Sequence, residues 1–175
     1  MMRKSLLMFL GLAVIILASG CSRTDVETTE LRRFAVNDLK GLITRSNVEL
    51  DRDHSFDGNG SLKISVAEPT TLRLYELSGL DIEEARLVYQ ARVRTADVEG
   101  RAYLEMWCVF EGKGEFFARD LSTPLSGTNE WSGEEIFFML RKGERPDAVR
   151  LNFVIEGSGT AWIDDIQLKK APLGT

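Results

Sequence analysis

The most constraining feature of the sequence is a strand–turn–strand pattern between Ala148 and Lys169. In its first arm, apolar residues recur at every second position, which is the period of a β-strand with one buried face. These residues are Val149, Leu151, Phe153 and Ile155. Gly-Ser-Gly follows at 157–159, and glycine can adopt the positive φ that tight hairpin turns require. The pattern predicts a β-hairpin.

Two adjacent carboxylates, Asp164 and Asp165, interrupt the apolar second arm of this hairpin. Strict alternation places Asp164 on the same face as Trp162, Ile166 and Leu168, which predicts an inward-pointing carboxylate. A charged group on an apolar face needs a cation or hydrogen-bond donors as partners.

The second arm also carries a family resemblance. GTAWIDDIQL resembles the closing strand of the jelly-roll, galactose-binding-like modules, which include several carbohydrate-binding module families. DRDHSFDGNGSLKISV, at 51–66, is similar to their early segment, where a Gly-rich turn leads into a Ser-Leu strand. The resemblance covers roughly Phe34 to Lys169 and implies an all-β jelly-roll β-sandwich.

The remaining pattern agrees with this fold, because it predicts about eight to ten short strands separated by turns and no long helix. Besides the closing hairpin, strands are predicted at Ser61–Val66, Thr71–Glu76, Arg86–Arg94, Arg101–Phe110, Glu115–Arg119 and Glu134–Leu140. The last of these is apolar on both faces and is therefore predicted to be interior.

The N-terminal segment reads as a bacterial lipoprotein signal peptide. A basic pair, Arg3 and Lys4, precedes the apolar run Leu6–Leu17, and Ala-Ser-Gly then leads into Cys21. The alternatives are an uncleaved anchor or an ordinary signal peptide. The lipobox resemblance implies a diacylated Cys21 that anchors the protein in membrane lipid of the bacterial cell envelope. Ser22, where Asp is lacking, indicates the outer membrane in a Gram-negative host.

The predicted organisation follows from these two resemblances. It consists of a signal peptide at 1–20, a lipidated Cys and tether at 21–33, a jelly-roll β-sandwich at 34–170 and a tail at 171–175.

Charge and cysteine content narrow the possible functions. The formal net charge is −5, and cleavage before Cys21 makes it more negative because Arg3 and Lys4 are lost. An acidic domain without a basic stripe argues against a nucleic-acid partner. Cys108 is the only other cysteine, and we expect it to be a small buried apolar residue rather than a nucleophile.

The motifs do not predict an enzyme. His54 is the only histidine, so the chain cannot form a His-rich zinc site, and GxSxG and phosphate-binding glycine motifs are absent from the sequence. A small glycoside hydrolase remains an alternative, because two carboxylates can meet across a cleft from any sequence spacing.

The resemblance to jelly-roll modules implies a structural calcium ion. Asp164 would be its side-chain ligand, with main-chain carbonyls near Gly60. Asp51, Asp53 and Asp57 add oxygen ligands nearby, but the loop is not an EF-hand. Alternatively, Asp164 accepts backbone N–H bonds or pairs with an arginine.

Aromatic and hydrogen-bonding residues alternate on the outer faces of the central strands, and we expect them to share one face. They are Arg92, Arg94, Tyr103, Glu105, Trp107, Arg150 and Asn152. Aromatic rings among polar side chains suit sugars, which predicts a non-catalytic, plausibly glycan-binding module. The alternative is a structural or protein-interaction envelope lipoprotein in which loops cover these rings. Trp131 caps the sandwich or guards a site, and Trp162 is predicted to fill the core.

Overall fold

The computed structural model describes residues 28–173, which form nine antiparallel β-strands and no helix. The strands are β1 Thr29–Phe34, β2 Val48–Asp51, β3 Ser61–Val66, β4 Thr70–Ser78, β5 Ala85–Phe110, β6 Gly114–Arg119, β7 Leu125–Leu140, β8 Ala148–Ile155 and β9 Gly159–Pro172. Within this part of the chain, nothing helical is long or apolar enough to span a membrane. The all-β prediction is confirmed.

Strand β5 organises both layers of the sandwich. The strand order is β2-β3-β9-β5-β8-β4, with β1 added to β9 and with β6 and β7 added to β5. The first half of β5 pairs with β9 and its second half pairs with β8. The first layer therefore contains β1, β2, β3, β9 and β7, and the second contains β4, β8 and β6. This is the jelly-roll β-sandwich that the sequence predicted.

β5 changes layer at a sharp corner near its middle. Asp97 has φ 53° and Gly100 has φ 93°, and the pairing with β7 shifts register through this region. A Cβ at Gly100 would lie 2.1 Å from the carbonyl oxygen of Glu156, so only glycine fits there. Because of this corner, the first half of β5 lines the core from the first layer and its second half lines the same core from the second layer.

The core lies between these layers and follows the predicted alternation. The apolar face of β8 is fully buried, as is that of the second half of β5. Cys108 belongs to this core, and burial raises the pKa of its thiol to about 12, as expected for a structural residue.

Several strand boundaries differ from the prediction. Thr29–Arg33, predicted as tether, forms most of β1 because its backbone pairs with β9, and β9 itself continues to Pro172. β7 begins at Leu125 rather than near Glu134, since its first part follows the β5 corner. The signal peptide, the lipobox and Cys21 lie outside the described residues.

The prediction that Glu134–Leu140 is interior is wrong. Phe137 is 51% exposed and Met139 is 47% exposed. The physical reason is that β7 is an edge strand of the first layer, so only its inner face, with Ile136 and Leu140, is buried in the core.

A β-bulge corrects the predicted direction of Asp164. Asp165 has φ 48°, and the pairing of β9 with β5 shifts register beside it. One extra residue exchanges the two faces of the following strand. Asp164 and Trp162 therefore lie on the outer face of the first layer, while Ile166 and Leu168 are in the core.

Candidate binding site

An aromatic pair occupies the outer face of the second layer. The β5–β6 hairpin places Trp107 opposite Phe117, with ring centroids 5.0 Å apart and planes tilted by 40°. Trp107 is partly exposed and Phe117 is 46% exposed. The guanidinium of Arg119 lies 4.7 Å from the centroid of Phe117, within the range of a cation–π contact. The rings of Trp107 and Phe117 thus form an apolar surface that is partly open to solvent, which we call the aromatic plate.

Glu105 lies beneath this plate and fixes its orientation. It is only 7% exposed, and its Oε1 accepts hydrogen bonds from Trp107 Nε1 at 2.7 Å and from Asn152 Nδ2 at 3.1 Å. Arg119 Nη1 lies 4.0 Å from Glu105 Oε2. Hydrogen bonds to a buried carboxylate are strong, so the indole is held rather than free to rotate.

Arg150 borders the plate on the other side. Its Nε donates to Glu76 at 2.8 Å, and its Nη1 lies 2.9 Å from both carboxylate oxygens of Glu115. The hydrogen bond to Glu76 raises the pKa of Arg150 above its ordinary value. We call the surface formed by Glu105, Trp107, Phe117, Arg119, Arg150 and Asn152 the aromatic face.

Tyr103 shares the outer side of the second layer but is buried. Its hydroxyl donates to Glu156 at 2.8 Å. Burial raises the pKa of Tyr103, and the hydrogen bond from Tyr103 lowers the pKa of Glu156. Tyr103 therefore supports the aromatic face from one side and does not offer a free ring surface.

Arg92 and Arg94, predicted to belong to the same face, do not. Both lie on the first half of β5, and their side chains are on the outer face of the first layer. The Arg92 guanidinium lies 4.6 Å from the ring centroid of Phe56, and Arg94 lies 5.7 Å from that of Trp162. The layer change at the β5 corner separates these arginines from Trp107, and simple alternation does not reveal it.

A loop covers the part of the first layer's outer face around Trp162 and Arg92, and Asp164 holds that loop in place. Asp164 Oδ2 accepts the backbone N–H of Phe56 at 2.8 Å and that of Asp57 at 3.3 Å, and the Ser55 hydroxyl lies at 3.3 Å. Oδ1 accepts the backbone N–H of Asp165 at 2.7 Å. These bonds explain why a carboxylate that is 1% exposed is stable on this face.

Asp51 fastens the start of the same loop. It accepts Trp162 Nε1 at 2.8 Å and the backbone N–H groups of Asp53 and His54 at 2.8 and 3.0 Å. Burial acts to raise the pKa of Asp51, but these hydrogen bonds outweigh it and lower that pKa.

Aromatic contacts complete the cover over this layer. Trp162, predicted in the core, lies beneath the His54 ring at 5.0 Å, and Trp131 contacts Phe56 edge-on at 6.1 Å. We call the surface formed by Asp51, His54, Phe56, Arg92, Trp162 and Asp164 the loop-covered face.

The calcium ion that the resemblance implies remains a prediction, and the contacts of the described residues do not support it. Calcium takes six to eight oxygen ligands, whereas both carboxylate oxygens of Asp164 already receive N–H donors. The main-chain carbonyl of Gly60, the other implied ligand, already accepts a hydrogen bond from the Ser55 hydroxyl at 3.3 Å. Between Thr28 and Leu173, no group of three His, Cys, Asp or Glu side chains could hold a metal ion. The calcium prediction lacks support from this geometry, and its test is metal addition.

Sequence reasoning missed Phe117 and Arg119. The signal was present, because a turn closed by Phe110 and Gly114 sets the register in which Trp107 faces Phe117 and Glu105 faces Arg119. The register follows from the turn length, but only once the closing pair of the turn is known.

Comparison with known proteins shows similarity to solved structures only. No family model and no curated protein matches the chain. Among solved structures, a family 16 carbohydrate-binding module is similar with a TM-score of 0.57 and 11% identity, over 75% of this chain and 92% of that one. The fold is shared with carbohydrate-binding modules.

Two structures that contain a family 22 module give the same result. The xylan-binding domain from Paenibacillus barcinonensis has a TM-score of 0.54 and 12% identity, over 85% of this chain and 96% of that one. The CBM22-1 and GH10 modules of the Clostridium thermocellum N-terminal endo-1,4-β-D-xylanase 10B, complexed with xylohexaose, have a TM-score of 0.58 and 9% identity, over 83% of this chain and 29% of that one. At these identities the likeness concerns the fold.

Proposed function

We propose that the chain is a non-catalytic glycan-binding module, carried by a lipoprotein that acylated Cys21 anchors in the bacterial cell envelope. The observation that supports glycan binding is the exposed ring surface of Trp107 and Phe117, set among fixed hydrogen-bonding side chains. The lipobox pattern in the sequence supports the anchor. Xylan and xylohexaose ligands in the proteins of similar fold add to the first point.

The chemistry of the aromatic face suits a neutral sugar. The apolar C–H face of a pyranose stacks on an aromatic ring, while hydroxyl groups bond with neighbouring polar groups. Arg119 and Arg150 supply donors at the two edges of the plate, and Glu76 and Glu115 supply acceptors. Two arginines face three carboxylates there, Glu76, Glu105 and Glu115, so this surface has no excess positive charge that would select an anionic sugar.

The acids around this face do not favour catalysis. A glycoside hydrolase needs one carboxyl group whose pKa is raised, so that it can donate a proton. Here the hydrogen bond from Tyr103 lowers the pKa of Glu156, and Arg150 binds both Glu76 and Glu115. A lowered pKa disfavours proton donation by Glu156, which suits binding rather than proton transfer.

A glycan-array screen of protein beginning at Ser22 tests the proposal, with Phe117→Ala as the main variant. Phe137→Ala is a matched control, because Phe137 is also an exposed ring beside an arginine, at 5.5 Å, but lies on the first layer. We expect Phe117→Ala and Trp107→Ala to weaken binding about tenfold, which corresponds to the loss of about 1.4 kcal/mol of stacking. Phe137→Ala should leave affinity unchanged.

Melting temperatures accompany the screen, since a variant that unfolds cannot report on binding. Phe117 makes no side-chain hydrogen bond in the described structure, so its replacement should hardly change the melting temperature. If no glycan binds, or if Phe137→Ala weakens binding as much as Phe117→Ala, the aromatic face is not a sugar site. A protein-interaction role would then be the remaining reading.

A further inference from the structure

Exposed apolar side chains are concentrated in one region. The described residues include seven large exposed hydrophobic side chains, and five of them lie on β6, on β7 or between these strands. They are Phe116, Phe117, Leu121, Phe137 and Met139. Isolated exposed apolar residues are ordinary, but a cluster marks an interaction surface.

Part of this cluster borders a groove between the two layers. The groove has a volume of about 380 Å³ and lies where β6 begins and β7 ends. Its apolar lining consists of Phe110, Phe116, Phe138 and Met139. We call Phe116, Phe137, Phe138 and Met139 the apolar edge.

Two basic side chains lie at the rim of the same groove. Lys113 and Arg141 line it together with Glu144, and both are exposed. Neither forms an ion pair within residues 28–173. Free cations beside exposed aromatic and thioether groups are the composition that binds a phospholipid surface.

The apolar edge lies at the end of the sandwich where β1 begins. Thr29 pairs with Lys170, Ala171 pairs with Arg86, and Arg86 pairs with Met139. Met139 therefore lies at nearly the same height along the strands as Thr29, and about 14 Å from it across the sheet, which is three inter-strand spacings. The turn between β3 and β4 lies at the opposite end, because Val66 pairs with Gly159 at the start of β9.

The length of chain before β1 limits how far this end can lie from a membrane. Seven residues, Ser22 to Thr28, separate Cys21 from Thr29. Fully extended, they span at most about 28 Å. If Cys21 is acylated, as the proposed function holds, the end with the apolar edge is therefore the end nearest the lipid.

We propose that the apolar edge docks on the membrane that the lipid anchor enters. Phe116, Phe137 and Met139 enter the boundary between headgroups and acyl chains, and Lys113 and Arg141 face the lipid phosphates. The docking adds apolar burial to the anchor and holds the domain in one orientation on the bilayer.

The test uses the full-length acylated protein in liposomes of phosphatidylethanolamine and phosphatidylglycerol that carry a nitroxide-labelled lipid. A fluorophore is attached at Lys142→Cys, in the exposed turn beside the apolar edge, and in a second sample at Glu68→Cys, at the opposite end. Cys108 does not compete for the label, because it is fully buried. We expect about twofold quenching at position 142 and none at position 68.

A double substitution separates docking from mere proximity to the anchor. Phe116→Ser with Met139→Ser, in the Lys142→Cys background, should abolish the quenching while the protein still sediments with the liposomes. Unchanged quenching would mean that the tether alone keeps this end near the lipid, which overturns the proposal. Equal quenching at both ends would also overturn it.

Failure of the anchor itself gives a different result. Protein that stays in the supernatant, with a mass that lacks acyl chains, would refute lipid anchoring and the docking that rests on it. Glycan binding by the aromatic face is measured on protein without the anchor, so the two failures are distinguishable.

Discussion

The two outer faces of the sandwich are built on the same strand, β5, but the chain covers only one of them. On the loop-covered face, Asp51 and Asp164 receive donors from a loop and from Trp162, and the His54 ring lies against the indole. On the aromatic face, polar side chains bond with each other and leave ring surface open at Trp107 and Phe117.

This difference separates residues that hold the fold from residues that can meet a ligand. A buried carboxylate whose donors belong to the backbone stabilises the protein, and its loss leaves those donors unpaired. An exposed ring contributes little to stability, so its removal should change binding instead. Substitutions on the two faces should therefore have opposite signatures.

The largest stability loss is expected for Asp164→Ala. It removes the acceptor for the backbone N–H groups of Phe56 and Asp57 in a buried position. We expect a decrease of about 3 kcal/mol in the free energy of unfolding, measured with urea. Asp53→Ala, in the same loop but exposed, should stay within about 0.5 kcal/mol. Equal effects of the two would contradict the role assigned to Asp164.

Thermal melting of the wild type and of Asp164→Ala tests the calcium prediction. Melting curves recorded with added calcium and with a chelator should coincide, since N–H donors occupy both oxygens of Asp164. A calcium-dependent rise of several degrees that Asp164→Ala removes would restore the calcium site.

Asp51→Asn should have a smaller effect that depends on pH. The pKa of Asp51 is lower in the folded protein than its ordinary 3.8, so ionised Asp51 stabilises the fold at all pH values above about 4. The stabilisation is lost as the pH falls below the unfolded value towards the folded one. We expect a loss of about 2 kcal/mol at pH 7 that narrows below pH 4, because the wild type weakens there. A difference that is constant from pH 7 to pH 3 would show that charge at Asp51 is unimportant.

A small stability effect is expected for an ion-pairing residue of the aromatic face. Arg150→Met removes ion pairs with Glu76 and Glu115, whose side chains are 36% and 44% exposed. Exposed pairs contribute little, so unfolding in urea should change by about 1 kcal/mol or less. A loss as large as that of Asp164→Ala would show that the two faces do not differ in their role.

The parts of the fold that alternation predicts are those where a strand stays in one layer. β3 has the predicted bounds, and the buried face of β8 is the predicted one. Neither strand has a bulge of its own, although β4 shifts register between Arg73 and Tyr75 where it pairs with β8. Local pattern is sufficient there because every second side chain meets the same core.

The parts that the sequence did not reveal depend on single irregular residues. The positive φ of Asp165 exchanges the faces of β9, so Asp164 points outward. The corner at Asp97 and Gly100 moves β5 to the other layer and separates Arg92 from Trp107. Asp adopts positive φ only in a few contexts, and nothing in its neighbours marks these two positions.

The site was predicted in part for the same reason. Glu105, Trp107, Arg150 and Asn152 come together because they lie on β5 and β8 in the second layer. Phe117 and Arg119 come from β6, whose position depends on the hairpin register. Whether this group binds a glycan remains a prediction.

The position of β9 has a consequence for how the chain folds. β1 and β3 both pair with β9, and the first half of β5 also pairs with β9. Of the nine described strands, the one with which three others pair is therefore synthesised last, and β1 and β3 keep open edges until β9 is available. Such non-local pairing makes folding slow, so an emerging chain depends on protection of its β1 and β3 edges before β9 closes the sheet.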